Sequence, residues 1–184
     1  GSYTAPVTSR IVNKGKAAFL RFSDDFTPVN IDFADAEVKR LCVENWDTDG
    51  DGELSYKEAA AVTDLGEVFR ASYENRNELI TTFDELQYFT GLTEIGEYAF
   101  YYCTELQSVV LPNTVEKIGY HAFDRCSITH IDLPESLLEI DSEAFSDLVT
   151  VNIPKNVRFV GSISNITYPG SDATPFYGCP LVEI

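Results

Sequence analysis

The sequence predicts an α/β repeat solenoid, a short ladder of parallel strands over residues 79–184. A helical, ion-binding helix–loop–helix and connector over 32–78 precede it, with an arm over 1–31. Three observations carry this reading. An isoleucine-led motif recurs after 23 and then 22 residues, at Ile95, Ile118 and Ile140. Each unit closes on an alternating apolar run ended by proline, which reads as a short strand because proline has no N–H to give a ladder. Residues 47–58 hold carboxylates at alternate positions between two apolar helical faces.

The totals bound the function. The chain has 184 residues and is 44% hydrophobic, enough for a real core. Its net charge of −17 argues against nucleic acid, which needs a basic face. No apolar run approaches the roughly 20 residues of a membrane span. Gly1-Ser2 reads as the scar of a cleaved tag. With no signal peptide and no starting methionine, the chain is expected to be a mature fragment of an exported protein. In the arm, Ile11-Val12 and Ala17 to Phe22 are candidate short strands, punctuated by Gly15, Asp24-Asp25 and Pro28.

The helix–loop–helix is built around Asp47-Thr48-Asp49-Gly50-Asp51-Gly52-Glu53-Leu54-Ser55-Tyr56-Lys57-Glu58. A hard cation takes six to eight oxygens, and a twelve-residue loop supplies them at fixed positions. Asp47, Asp49 and Asp51 offer side-chain oxygens. Gly52 makes the sharp turn, Glu53 offers its backbone carbonyl, Ser55 holds a bridging water, and Glu58 binds through both carboxylate oxygens. Without a cation these acids repel. Asp35 is expected as the N-cap or a first-turn acid of the incoming helix, whose apolar face is Val38, Leu41, Cys42, Val43 and Trp46. The outgoing helix is expected to run through Ala59–Val62 and Leu65 to a stop at Gly66. The segment resembles an EF-hand, and its outgoing helix is similar to dockerin modules, which implies Ca2+ as the ligand. Both families normally carry two loops. Here the pattern occurs once, which favours a structural ion over a sensor. Residues 66–82 read as a polar connector.

The repeat proper aligns three units. Ile95-Gly96-Glu97-Tyr98-Ala99-Phe100 leads to Leu106…Val109-Val110-Leu111-Pro112. Ile118-Gly119-Tyr120-His121-Ala122-Phe123 leads to Ile128…Ile131-Asp132-Leu133-Pro134. Ile140-Asp141-Ser142-Glu143-Ala144-Phe145 leads to Leu148…Val151-Asn152-Ile153-Pro154. A fourth unit starts at Val160-Gly161 and resumes at Phe176, with an insertion near 162–174. Phe83, Leu86, Phe89 and Leu92 suit an atypical first rung. Stacking places Leu106, Ile128, Leu148 and Leu181 in one internal column and Val109, Ile131, Val151 and Ile184 in another. Phe100, Phe123, Phe145 and Phe176 form an aromatic spine. No rung buries these residues alone, so neighbours supply the stability, and the helix–loop–helix is expected to help cap the first rung.

The A-F-x-x-C…L-x-x-[VI]-x-[LI]-P unit resembles the BspA-like leucine-rich repeats of bacterial surface proteins, over about residues 79–184. A calcium loop feeding such repeats is similar to secreted or lipid-anchored proteins of gut Bacteroidetes. The resemblance implies an exported or cell-surface module that binds an extracellular protein or glycan. The outward face of the ladder is the candidate partner site: Ser108, Val110, Thr129, His130, Asp132, Thr150 and Asn152. Tyr101, Tyr102 and Tyr120 on the turns are candidate exposed aromatics. Cys103, Cys126 and Cys179 share one repeat phase with no C-x-x-C, and buried free thiols are favoured over a disulfide. Neither His121 nor His130 has a triad-like context, so no catalysis is expected. Alternatives that stay open are a dockerin-like assembly module and an accessory domain of a carbohydrate-handling surface system.

Overall fold

The computed structural model describes residues 30–72, 77–160, 174–176 and 178–180. The candidate strands of the arm, most of the insertion near 162–174, and the column positions Leu181 and Ile184 lie outside the described residues.

Helix α1 spans Ala36–Trp46. Asp35 caps it from an extended backbone, its Oδ1 accepting the amides of Glu37 at 2.8 Å and Val38 at 3.2 Å. Val38, Leu41 and Cys42 are buried, with Val43 and Trp46 packed against the core. Helix α2 is one and a half turns, Tyr56–Ala61. Ser55 and Glu58 close a capping box at its start. The helix stops well before Gly66, contrary to the expectation from sequence. Val62 turns extended and drops into the core, and Leu65 follows it. The backbone of Gly91 lies against this helix end, where a Cβ would meet the carbonyl oxygens of Val62 at 2.5 Å and Ala60 at 2.7 Å. Docking of the first rung against the end of α2 therefore accompanies the early stop.

The ladder has three sides. On the first, strand β1 (Thr82–Phe83) pairs in parallel with β3 (Ser108–Val109), and β5 (His130–Asp132) with β7 (Thr150–Asn152). On the second, β2 (Glu94–Ile95), β4 (Lys117–Ile118), β6 (Glu139–Asp141) and β8 (Arg158–Val160) form a four-stranded parallel sheet. The third is made of turns linked rung to rung by backbone bonds such as Phe100 N–H to Ala122 O at 2.8 Å and Phe123 N–H to Ala144 O at 2.8 Å. The alternating runs before each proline give the first side, as expected. The second side was not foreseen. Its strands are the residues around each leading isoleucine, which points in while its neighbours point out.

One hydrophobic core runs from Ile31 to Val151. The aromatic spine is stacked: Phe100 on Phe123 at 5.1 Å, Phe123 on Phe145 at 5.3 Å, Phe145 on Phe176 at 5.9 Å, with interplanar angles of 5°, 6° and 13°. Phe69 extends it, 5.3 Å from Phe100. The connector is thus no mere polar link: Phe69 and Ala71 are buried, and the Ala71 amide bonds to Tyr101 O at 2.9 Å. Each fully buried large apolar side chain contributes roughly 1.5–3 kcal/mol. All four cysteines are free thiols. Cys103 Sγ donates to Phe69 O at 3.0 Å and Cys126 Sγ to Phe100 O at 3.2 Å, tying each rung to the one before. Burial holds the Cys103 thiol up at about 12 and pushes Cys126 well above its ordinary value.

The helix–loop–helix caps this ladder. Asp35 Oδ2 accepts the Thr81 amide at 2.9 Å and hydroxyl at 2.8 Å. The Ala34 amide donates to the buried Glu85 carboxylate at 2.9 Å. Trp46 packs on Phe69 and Phe89, Phe33 on Phe83, and Tyr56 on Tyr88. Among the described residues no helix is long and apolar enough to cross a membrane.

Candidate metal loop and ladder face

The loop between α1 and α2 turns at Gly50 and Gly52, both at positive φ (75° and 82°), where a side chain is disfavoured. The amides of Gly50 and Gly52 donate to the two oxygens of Asp47 at 2.7 and 2.9 Å, and the Asp51 amide donates to Asp49 at 3.2 Å. Glu58 reaches back across the loop. Its Oε1 accepts the Thr48 amide at 2.7 Å and hydroxyl at 2.8 Å, and its Oε2 accepts the Ser55 amide at 2.9 Å and hydroxyl at 2.8 Å. Burial pushes the Glu58 carboxyl up, but these donors outweigh it and hold the group at about 2. For Asp49 the order reverses. The Asp51 amide lowers it, while burial and the carboxylates of Asp51, Glu58 and Asp47 together raise it.

Of the six predicted ligands, the fold brings one carboxylate oxygen each of Asp47, Asp49 and Glu58 within 4.8 Å of one another. Asp51 stands outside this group, and its side chain accepts the Glu53 amide at 2.8 Å. The Glu53 carboxylate pairs with Lys39 at 2.7 Å, leaving its backbone carbonyl as the group expected to serve the loop. Ser55 is buried at the helix cap.

On the ladder face, parallel register sets His130 beside Thr150 and Asp132 beside Asn152. His130 Nδ1 lies 2.9 Å from Thr150 Oγ1 and its Nε2 lies 3.4 Å from Asp132. His130, Asp132 and Asn152 are exposed, as are Thr129 and Val110. Ser108 lies one rung earlier, on the β1–β3 pair, half-buried, with its hydroxyl donating to Asp84. The structure therefore gathers four of the seven predicted face residues into one patch.

A second cluster lies on the turn side. Tyr98, Tyr101, Tyr102, Tyr120 and His121 make a chain of ring contacts, and only the three tyrosines 101, 102 and 120 stood out from sequence. Arg70 lies over Tyr98 and Tyr101, and Arg125 over Tyr102. Shared repeat phase was the available signal: Tyr98 and His121 are equivalent, as are Tyr102 and Arg125.

These features define a leucine-rich-repeat solenoid with a helical cap. Residues 79–184 match the BspA type leucine rich repeat region in six copies, and the chain belongs to that family. A leucine-rich repeat protein from Bacteroides ovatus is similar in structure at 33% identity. The match covers 40% of this chain and 22% of that one, with a TM-score of 0.36. No curated protein matches the chain.

Proposed function

We propose that this chain is an exported, cell-surface protein-interaction module without catalytic activity, with a structural calcium ion in its helical cap. The observation that carries the interaction reading is the patch of His130, Asp132, Thr150 and Asn152. Its side chains project from paired strands whose inward residues, Ile131 and Val151, form the core. The polar groups are held in place by the ladder and are not needed to fill it, as suits recognition from a rigid scaffold.

The loop fits calcium by a simple test. Two oxygens on one calcium ion each lie roughly 2.3–2.6 Å from it, so they stand at most about 5 Å apart. The Asp47, Asp49 and Glu58 oxygens meet that limit, and all are hard donors. The Glu53 carbonyl, Asp51 and a water held by Ser55 make up the rest of the expected set. The ion's role is to neutralise carboxylates that otherwise repel and to fix α1 against α2.

Two measurements test the proposal. Panels of extracellular-matrix proteins are probed with calcium and with chelator, using wild type and a His130→Ala/Thr150→Ala variant. A protein bound by wild type and lost in the variant is expected; no binder, or binding untouched by the variant, refutes the ladder reading. Calcium at about 100-fold over its Kd is expected to raise the melting temperature by roughly 5–10 °C. A melt identical in calcium and in chelator refutes the ion.

A further inference from the structure

We propose that the turn side of the solenoid is a second binding site, for a neutral oligosaccharide. Tyr101 and Tyr102 meet edge to face at 4.7 Å and line a cavity of about 490 Å³ together with Ala71, Ser72, Glu78 and Thr104. That volume lies in the range of small-ligand sites, roughly 300–1,000 Å³, and the lining combines ring surface with a few polar groups, as such sites do. Behind it Tyr98, Tyr120 and His121 continue the ring contacts at 3.9–5.5 Å. Tyr102 is 40% exposed.

The turns that carry these rings have backbone at positive φ. In the last described rung the position two after the spine phenylalanine is Gly178, at φ 83°. The equivalent positions in the first two rungs are Tyr102 at φ 64° and Arg125 at φ 61°, whereas Asp147 in the third is not at positive φ. The left-handed region favours glycine. Tyr102 and Arg125 instead keep large side chains that stack on each other, the guanidinium 4.8 Å from the ring centre. Tyr98 at φ 58° and His121 at φ 53° stack likewise, 5.3 Å apart. Glu143, in the same repeat phase as Tyr98 and His121, is at φ 54°, so the repeat sets this turn and the rings are what is particular to the first two rungs.

The charges identify the ligand class. The chain as a whole carries −17, yet this side is mixed in sign. Arg70 and Arg125 lie on the rings, while Asp124 and Glu143 flank His121 at 2.8 and 3.6 Å. A cationic ligand would compete with the two guanidinium groups for ring surface. An anionic one would meet Glu78 in the cavity. A pyranose matches what is offered: a C–H face for a ring, and hydroxyls for Glu78 and Thr104.

The test titrates the full chain with cellohexaose, maltohexaose, mannohexaose and xylohexaose by calorimetry, with an octalysine peptide as the comparison. At least one hexasaccharide is expected to bind saturably. Tyr102→Gly should weaken it about tenfold or more, the size of one lost ring contact. The Gly178 precedent makes Tyr102→Gly compatible with folding, and an unaltered circular dichroism spectrum checks this. Silence with all four sugars overturns the proposal, as does binding indifferent to Tyr102→Gly. Octalysine binding that Tyr102→Gly abolishes, without sugar binding, overturns it in favour of a basic protein segment.

Discussion

Replacing Asp35 by alanine tests how the cap is joined to the ladder. One carboxylate serves two structures: Oδ1 caps α1, and Oδ2 accepts both donors of Thr81 at the threshold of the first rung. Loss of the cap costs about 1 kcal/mol. The two bonds from Thr81 are partly in water, which would replace them, so each adds only about 0.5 kcal/mol. The expected loss is therefore about 2 kcal/mol. Asp35→Asn has one carboxamide oxygen, so it keeps the cap and turns its Nδ2 donor toward the Thr81 amide; it should lose about half as much, about 1 kcal/mol. The assay is urea unfolding followed at Trp46, beside the loop, and by far-ultraviolet circular dichroism over the whole chain. Because the cap and ladder share one core, both probes should give one coincident transition in each variant. A loss below about 0.5 kcal/mol for Asp35→Ala would refute the idea that this carboxylate joins the two parts.

Two further outcomes follow from the same contacts. Phe123 is 1% exposed and stacked on both sides, so Phe123→Ala should destabilise the chain by about 3–5 kcal/mol in the same urea assay; a loss under about 1 kcal/mol would mean that neighbouring rungs do not depend on the spine. Burial raises the Asp35 carboxyl, but the bonds from Thr81, Val38 and Glu37 outweigh it and hold the group below its ordinary 3.8. Its contribution is full above that value and is lost as pH falls through the lower folded value. The stability gap between wild type and Asp35→Asn should therefore narrow below pH 4, and a gap unchanged to pH 2 would show that Asp35 is not held low.

The legible part of this fold is the part written with a period. The spine phenylalanines, the Val109–Ile131–Val151 column and the cap at Asp35 each follow from a local rule that nothing in the tertiary structure opposes. The second sheet escaped because its strands are only two or three residues long. An alternation of x-I-x is too brief to be told from a turn. The early end of α2 escaped because the competing interaction is distant: Gly91 is 29 residues beyond Val62, and propensity carries no trace of it. Phe69 escaped because it stands in a short connector outside the repeat phase, while its partner is Phe100. The turn cluster was half visible. Rings were seen, but arginine and histidine joined them only once the rungs were stacked.

The cap also sets what an ion in the loop would do. The loop's two ends are the last turn of α1 and the first turn of α2, and neither helix stands alone. Trp46, at the end of α1, lies on Phe69 and Phe89. Tyr56, at the start of α2, lies on Tyr88. Phe69 in turn is the first ring of the spine. Fixing the loop should therefore restrain the first rung as well as the two helices, because rung stability passes from neighbour to neighbour. On the calcium reading, hydrogen exchange should slow at the amides of Tyr98 and Phe100, which bond to Tyr120 and Ala122 on the next rung, and not only within 36–61. Protection confined to 36–61 would make the loop a local clasp. Protection that reaches Phe100 would make calcium a condition of the ladder, and with it of the face the ladder presents.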